Sequence, residues 1–234
     1  LHRLGDLIAE VLGDGRDLGM HITYSREHEL LGTGGGLCKV RSYLTEGGRR
    51  ACLVANGDSL VEADLSAALE AHLERDSLAT MILRDDPHPE EYGAVHTDAS
   101  GRIVAIDRVA HAPNADPVDA RIFTGLSILS PAFLDRLVPE TSCVVRSCWG
   151  PLIEEGSEVH GDPRATRLHD CGTPARLLAA TRDLLDHPDA FSHAPRPSHH
   201  PATFEGGVAI SGPCLFDADV ELGVGSQIGP HVVL

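Results

Sequence analysis

The chain has 234 residues, of which 42% are hydrophobic and 23% charged, a composition typical of a globular protein. Its 35 acidic residues outnumber the 19 Lys and Arg residues and leave a net charge of −16. This balance argues against a nucleic-acid partner, because a phosphate backbone needs a basic protein face. A nucleotide substrate is still compatible with it, since a few arginines and a divalent cation can offset phosphate charge locally.

The six cysteines contain no C-x-x-C pair, and no apolar run is long enough to span a membrane. This pattern fits reduced thiols better than a disulfide framework. We therefore expect a cytoplasmic protein without a membrane partner.

The first predicted elements are a helix and a strand. Residues 4–12 carry apolar side chains at helical spacing and are followed by Gly13, a common helix stop. The alternation of apolar and polar side chains over residues 20–25 predicts a strand.

Residues 27–36 contain four glycines and a threonine, which allow a backbone to approach a flat or anionic ligand closely. Apolar spacing resumes over residues 36–44, so the glycine run is predicted to be a loop that leads into a helix. A helix N-terminus favours contact with an anion or a nucleotide. A flexible loop without a ligand is the alternative interpretation.

Residues 51–55 form an uninterrupted apolar run that ends abruptly at Asn56-Gly57-Asp58. Such a run predicts a strand buried on both faces. Ligands of open α/β sheets gather beyond the carboxyl ends of such strands, so Asp58 is a candidate metal ligand or an acid next to a phosphate. A turn that uses Asn, Gly and Asp for their backbone tolerance is the alternative.

The middle of the chain alternates between strand and helix patterns. Asp64 is a candidate cap for a helix over residues 65–73, and Ser130 with Pro131 is predicted to begin a short helix. Further predicted elements are strands at 78–83 and 122–129, a hairpin of 93–97 with 102–107, and a helix at 149–155. Residues 166–169 predict a strand and residues 174–185 a helix, so Asp170 falls between a strand and a helix, as Asp58 does.

Residues 187–205 are rich in Pro and His and predict a linker. Apolar side chains then recur every six residues in two series, the second of which fails only at Ser226: Ile210, Phe216, Leu222, Ile228, Leu234 and Val208, Cys214, Val220, Val232. A six-residue period is typical of a parallel β-helix, in which each hexad forms one face of a coil. We therefore expect a partial left-handed parallel β-helix over residues 206–234.

Four motifs follow one another along the chain: Leu31-Gly-Thr-Gly-Gly-Gly36, Asn56-Gly-Asp58, Tyr92-Gly93 and Asp170-Cys-Gly-Thr-Pro174. In this order and spacing the chain resembles the sugar-phosphate nucleotidylyltransferases, or NDP-sugar pyrophosphorylases, which include the mannose-1-phosphate guanylyltransferases. The resemblance covers nearly the whole chain. It implies an α/β fold, with a Rossmann-like nucleotidyltransferase domain over residues 1–186 that contains a mixed, mostly parallel sheet.

The resemblance also implies the reaction, in which an NTP and a sugar 1-phosphate give an NDP-sugar and pyrophosphate with the help of Mg²⁺. Asp58 and Asp170 match the metal-binding acids of the family and would hold Mg²⁺ and act in catalysis. The other residues that the resemblance assigns are Leu31, Gly32, Thr33, Gly34, Gly35 and Gly57 for the nucleotide, and Gly93, Asp107 and Arg108 for the sugar phosphate, with Arg108 also catalytic.

The chain departs from the family at two places. The Glu-Lys pair of the family aligns with Asp107-Arg108, where the acid is shorter and the base is a planar fork rather than a point charge. Nothing in residues 1–26 resembles the family's opening strand and triphosphate-binding loop. We therefore expect the sequence to be truncated at its N-terminus and at its C-terminus, and the chain as given to show little or no activity.

The chemistry agrees with the resemblance. The nucleophile is a phosphate oxygen that is already anionic, so the reaction depends on charge neutralisation and in-line positioning rather than on a general base. A non-catalytic regulatory or structural paralogue that binds nucleotide sugar is the alternative. An acyltransferase is disfavoured, because His231 is the only candidate catalytic histidine in the hexad region. The predicted β-helix makes a homo-oligomer plausible.

Overall fold

The computed structural model describes residues 1–191, 206–217 and 220–234, and these form two compact units. The first unit contains Leu1–Val54 and Leu65–Pro163, and the second contains Ala55–Asp64 and Arg164–Leu234. The domain boundaries expected from the sequence at residues 186 and 206 stay predictions.

Five helices belong to the first unit, and their ends follow local sequence signals. Helix α1 is followed by Gly13 at a φ of 55°, and α4 begins where the Ser130 side chain accepts a hydrogen bond from the Phe133 N–H, as predicted. The helices are α1 (Gly5–Leu12), α2 (Gly32–Thr45), α3 (Leu65–Glu74), α4 (Pro131–Leu134) and α5 (Gly150–Glu154), the last preceded by a π-helical turn at Val145–Trp149. Short 3₁₀ turns lie at Arg16–Leu18, Glu46–Gly48 and Pro89–Glu91.

The larger sheet among the described residues has eight strands. They are β1 (Cys52–Ala55), β2 (Ser59–Ala63), β3 (Ala79–Arg84), β4 (Val95–Thr97), β5 (Ile103–Ile106), β6 (Ala110–His111), β7 (Asp119–Leu129) and β8 (Val159–Asp170). In the first unit β3 pairs with β7, β7 with β4, β4 with β5 and β5 with β6, all antiparallel, and β1 lies beside β7. The predicted hairpin is confirmed as β4 and β5.

The core of the first unit is built from this sheet and its helices. Strand β3 has every residue but its last buried, as a strand covered on both faces should, and Phe133 packs against Trp149 with ring centroids 5.1 Å apart. Burial runs along β3 and β5 without alternation, so these strands form the buried centre of the unit.

Strand β1 differs from its prediction. Its residues alternate between partly buried and exposed, and Leu53 is 49% exposed, so the strand is not buried on both faces. Among the described strands β1 pairs with β7 alone and lies off the main path of the sheet. A strand at this position is covered on one face only. The apolar sequence of the strand does not show that its other face is exposed.

The strand predicted over residues 20–25 is also wrong. The backbone N–H groups of Met20 and Ile22 donate to the carbonyls of Gly15 and Asp14, and the Tyr24 hydroxyl donates to the carbonyl of Gly13. These bonds tie the segment to the preceding turn, and the described residues offer it no strand ladder.

In the second unit β2 runs antiparallel to the last part of β8, with Ser59 opposite Asp170. Helix α6 (Pro174–Asp186) follows, and its cap is the Thr173 hydroxyl, which accepts a hydrogen bond from the Arg176 N–H. The predicted helix there is confirmed.

The hexad region contains two short strands, β9 (Ala209–Ile210) and β10 (Gln227–Ile228), which are parallel. Gln227 pairs with Ala209, and a parallel bridge joins Val233 to Leu215, so each pair is 18 residues, or three hexads, apart. This spacing is compatible with one coil of three hexads, but the β-helix stays a prediction. Of the predicted linker, residues 192–205 lie outside the described residues.

All six cysteines are free thiols. None of the helices among the described residues has the length and apolar character that crossing a membrane requires.

Candidate active site

The two acids that the sequence singles out lie at the same end of one strand pair in the second unit. Asp58 immediately precedes β2, and Asp170 is the last residue of β8. The register places Ser59 opposite Asp170, and the Cys171 N–H donates to the Asp58 carbonyl at 2.7 Å. The antiparallel pairing therefore brings together two residues that are distant in sequence.

The carboxylates of these acids flank a space at Gly172. A Cβ atom at Gly172 would lie 3.0 Å from Oδ1 of Asp170 and 3.3 Å from Oδ2 of Asp58. The Gly172 N–H donates to Oδ1 of Asp170 at 2.9 Å, which fixes that carboxylate. Because residue 172 has no side chain, the space between the two acids stays open.

The two acids differ in their partners. Asp58 is exposed, and none of the hydrogen bonds and ion pairs found among the described residues uses its carboxylate. Asp170, by contrast, forms an ion pair through Oδ2 with the guanidinium of Arg176 in the first turn of α6. Arg176 was not among the residues predicted from the sequence. Its position three residues after Thr173 was the available signal, since the third residue of a helix can reach back to the segment before it.

The donor set at this strand end fits a divalent cation of the magnesium type. Mg²⁺ is usually held by one or two carboxylates, with water and substrate phosphates as the remaining ligands. Asp58 and Asp170 supply two carboxylates that face one open space. No group of three or more His, Cys, Asp and Glu side chains that could hold a metal by themselves occurs within the described part of the chain.

The glycine run of the first unit is part of a helix rather than the predicted loop. Helix α2 begins at Gly32, which has a φ of +67°, and Gly34 and Gly35 are buried in its first turn. A Cβ at Gly32 would lie 2.5 Å from the Ser142 carbonyl oxygen, and one at Gly35 would lie 2.5 Å from that of Glu140. The glycines are therefore needed for the close approach of residues 140–142 to the helix.

Three polar groups at the start of α2 have protein partners. The Gly34 N–H donates to the Ser142 carbonyl at 2.9 Å, and the Thr33 hydroxyl accepts from the Val144 N–H at 3.0 Å. The Glu27 carboxylate accepts from the Leu31 N–H at 3.0 Å, so Glu27 shapes the helix start. Gly57, the remaining residue assigned to the nucleotide, is exposed, and a Cβ there would meet no atom within 4 Å.

A cavity of about 500 Å³ in the first unit contains two of the three residues assigned to the sugar phosphate, Asp107 and Arg108. They lie in the turn between β5 and β6, where Arg108 adopts a φ of +61°. The polar residues that share the cavity are His96, His111 and Glu154. Gly93, the third assigned residue, is not among the residues that line this cavity; its φ of +85° accounts for the glycine.

Both oxygens of Asp107 are engaged inside the protein. Oδ1 lies 2.9 Å from Nε2 of His96, and Oδ2 accepts from the Ala94 N–H at 3.2 Å. The hydrogen bond from His96 lowers the pKa of the Asp107 carboxyl, so this side chain is anionic at neutral pH. Asp107 therefore holds the turn and the imidazole in place, and the exposed Arg108 is the cation of the turn.

Residues 2–186 match the model of the nucleotidyl transferase family, and the chain belongs to that family. This agrees with the resemblance drawn from the motifs and with the two acids at one strand end.

Several of its relatives are mannose-1-phosphate guanylyltransferases. The protein of that name from Mycobacterium tuberculosis is 30% identical over 220 residues, which cover 93% of this chain and 59% of the relative. A probable mannose-1-phosphate guanylyltransferase 2 of Arabidopsis thaliana is 28% identical over 92% of this chain and 56% of its own. The chain thus spans less than two thirds of the length of these relatives.

Solved structures share the fold. HddC from Yersinia pseudotuberculosis superimposes with a TM-score of 0.60 at 21% identity, over 77% of this chain and 74% of that one, and has also been solved with GMP-PN. A putative glucose-1-phosphate thymidylyltransferase from Bacillus anthracis gives a TM-score of 0.58 at 18% identity, over 75% and 70% of the two chains. The mixed α/β, Rossmann-like nucleotidyltransferase fold is therefore confirmed.

Proposed function

We propose that this protein transfers a nucleotidyl group from an NTP to a sugar 1-phosphate, giving an NDP-sugar and pyrophosphate. The observation that carries the proposal is the pair Asp58 and Asp170, whose carboxylates face one open space at Gly172. The family of the chain and the names of its relatives support the class of substrate.

The chain's own residues meet the main demand of this reaction, which is to bring two anions together. Asp58 and Asp170 are the residues that would hold Mg²⁺, and Gly172 keeps the space between them open. When bound, the cation supplies charge neutralisation at the phosphates. The sugar phosphate oxygen is already anionic and attacks the α-phosphorus as the bond to pyrophosphate breaks, so no side chain has to remove a proton.

The cavity at the β5–β6 turn is the proposed site of the sugar phosphate. Arg108 supplies a planar, permanently charged group that can donate two parallel hydrogen bonds to a phosphate. Asp107 acts through its bonds to His96 and Ala94 rather than as a free acceptor for sugar hydroxyls. The start of α2 is the proposed neighbour of the nucleotide, through side chains of Leu31 and Thr33 rather than through the Gly34 N–H, which is already bonded.

The test is pyrophosphate release by the protein in its natural full length, with Mg²⁺ and a panel of NTPs and sugar 1-phosphates. Asp58→Asn and Asp170→Asn should each lower kcat by about 100-fold or more, because each removes a charged ligand of the proposed cation. Asp135→Asn is the matched control, since Asp135 is an exposed acid whose ion pair with Arg41 is long, at 3.8 Å. A near-normal rate in either Asp58→Asn or Asp170→Asn would remove that residue from the proposed role.

A non-catalytic paralogue that binds nucleotide sugar is the second candidate. Two observations favour it: both oxygens of Asp107 are used inside the protein, and Asp170 is paired with Arg176. A folded protein that binds an NDP-sugar but releases no pyrophosphate with any substrate pair would establish this alternative. The predicted β-helix and a homo-oligomer are compatible with either candidate.

A further inference from the structure

Each carboxylate oxygen of Asp170, one of the two proposed cation ligands, already has a protein partner in the structure. Its Oδ1 accepts the Gly172 N–H, and its Oδ2 is paired with the Arg176 guanidinium. The neighbouring guanidinium opposes the approach of a second cation to this carboxylate. A divalent cation that binds Asp170 through Oδ2 therefore competes with Arg176 for that oxygen.

The position of Arg176 makes such a departure easy. The Arg176 and Asp170 side chains are 53% and 43% exposed, and ion pairs at exposed positions are weak. Arg176 also lies in the first turn of α6, where the partial positive charge of the helix N-terminus disfavours a cation. Asp170 is therefore the group that holds the guanidinium at this place, and a competing anion can take it over.

Arg176 is also matched to the anion that a nucleotidyl transfer site receives. A guanidinium can donate two parallel hydrogen bonds to a phosphate, and this geometry is stronger than a single contact to a carboxylate oxygen. The space flanked by Asp58 and Asp170 is within reach of the Arg176 side chain, because that side chain already contacts Asp170.

We propose that Arg176 exchanges partners when substrate binds. In the free protein it pairs with Asp170 and competes with a divalent cation for that carboxylate; when the cation takes Asp170, the guanidinium moves to a phosphate of the bound substrate. This inference rests on the proposed function. It makes Arg176 a phosphate-binding residue in the loaded site and an inhibitor of cation binding in the empty one.

The first experiment measures Mn²⁺ binding to the full chain by electron paramagnetic resonance, without nucleotide. Arg176→Gln should bind Mn²⁺ about two- to fivefold more tightly than the unmodified protein, as expected for the loss of an exposed ion pair. Arg182→Gln is the matched control, because it removes the same charge from an exposed position of the same helix. The change in Mn²⁺ affinity caused by Arg182→Gln should be less than half of the change caused by Arg176→Gln.

The second experiment measures pyrophosphate binding at saturating Mn²⁺ by calorimetry. Arg176→Gln should bind pyrophosphate about five- to tenfold more weakly, whereas Arg182→Gln should bind it as the unmodified protein does. Opposite signs for the cation and the phosphate are the signature of partner exchange, and a purely structural role of Arg176 would weaken both.

The outcomes separate this inference from the proposed function. Mn²⁺ binding that is lost in Asp58→Asn but unchanged or weaker in Arg176→Gln would overturn the role of Arg176 alone. Tighter Mn²⁺ binding with unchanged pyrophosphate affinity would overturn the exchange. Mn²⁺ binding that persists unchanged in Asp58→Asn, or no binding by any variant, would overturn both the cation site and the inference.

Discussion

Glycines occur at candidate sites in both units of the molecule, but what lies next to them differs. In the first unit Gly32 and Gly35 make room for the backbone of residues 140–142, which packs against the start of α2. In the second unit the space at Gly172 is flanked by the side chains of Asp58 and Asp170, and no backbone enters it. A glycine-rich motif can thus reflect close packing of the protein against itself as readily as room for a ligand.

The difference can be read from which atoms a methyl group would meet. At Gly35 the nearest atom is a backbone oxygen, which can move only with its segment. At Gly172 the nearest atoms are side-chain carboxylate oxygens, which can shift without any movement of the backbone. We therefore expect a substitution of Gly35 to lower the stability of the fold and a substitution of Gly172 to weaken cation binding.

The largest effect should come from Gly35→Ala. The added Cβ would lie 2.5 Å from the Glu140 carbonyl oxygen, so α2 and residues 140–142 would have to separate. We expect the free energy of unfolding to fall by about 2 kcal/mol, even though alanine favours a helix. Urea unfolding followed by the fluorescence of Trp149, the single tryptophan and a buried residue of the first unit, measures it.

Gly57→Ala is the control for this prediction, because a Cβ there would meet no atom within 4 Å. It should change the same free energy by less than about 0.5 kcal/mol. Equal stability of Gly35→Ala and Gly57→Ala would show that residues 140–142 can move away from α2 without a loss of stability. The conclusion that close packing requires the glycines would then be wrong.

The next effect should come from Gly172→Ala, which leaves the backbone unstrained but places a methyl group between the two acids. We expect the affinity for Mn²⁺ to fall by about tenfold, which corresponds to about 1.4 kcal/mol. The free energy of unfolding should change by less than about 0.5 kcal/mol, because the methyl group meets only side-chain oxygens. A large loss of stability with Mn²⁺ binding intact would reverse the contrast between the two kinds of glycine.

The smallest effect concerns pH and the first unit alone. His72 and His160 are buried there, and burial lowers the pKa of both imidazoles, with their mutual repulsion contributing at His72. The His72 ring is hydrogen-bonded to the Thr80 hydroxyl, and the His160 ring contacts the Ser77 hydroxyl and the Glu158 carboxylate. The other charged groups that act on the two rings are Arg75, Asp76, Asp98 and Arg102.

Because folding lowers these pKa values, the unfolded chain binds more protons than the folded chain as the pH falls through the ordinary histidine range. The stability of the first unit should therefore decrease below about pH 6.5, by at most about 1.4 kcal/mol per pH unit for each histidine. Urea unfolding followed by Trp149 fluorescence, repeated at several pH values between pH 7 and pH 5, measures this slope. His160→Gln should have a shallower slope than the unmodified protein; an equal slope would assign the pH dependence to other groups.

Features that depend on neighbouring residues could be predicted from the sequence. Helix α1 stops at Gly13, α4 begins at the Ser130 cap, and α6 begins at Pro174, because caps and stops act within one helical turn. The strand predicted over residues 78–83 is likewise present as β3. The motif order was sufficient to indicate the family.

Features that depend on contacts between distant residues could not be predicted from the sequence. The glycine run alone does not show that Glu140 and Ser142 will pack against it, and the apolar run of β1 does not show that one of its faces stays uncovered. Arg176 lies only six residues from Asp170, so its place after the strand end was a local signal, but residue type alone does not show that the guanidinium pairs with Asp170.

The sequence by itself determined several helix ends, the family and the position of the two acids next to strand ends, because each depends on residue types within a short window or on their order. Only the tertiary structure decided what those residues contact: a protein backbone at Gly35, an open space at Gly172, and a guanidinium on Asp170 but not on Asp58. The physical reason is that pairing of β2 with β8 and packing of residues 140–142 on α2 join segments far apart in the chain, and no local pattern records such contacts.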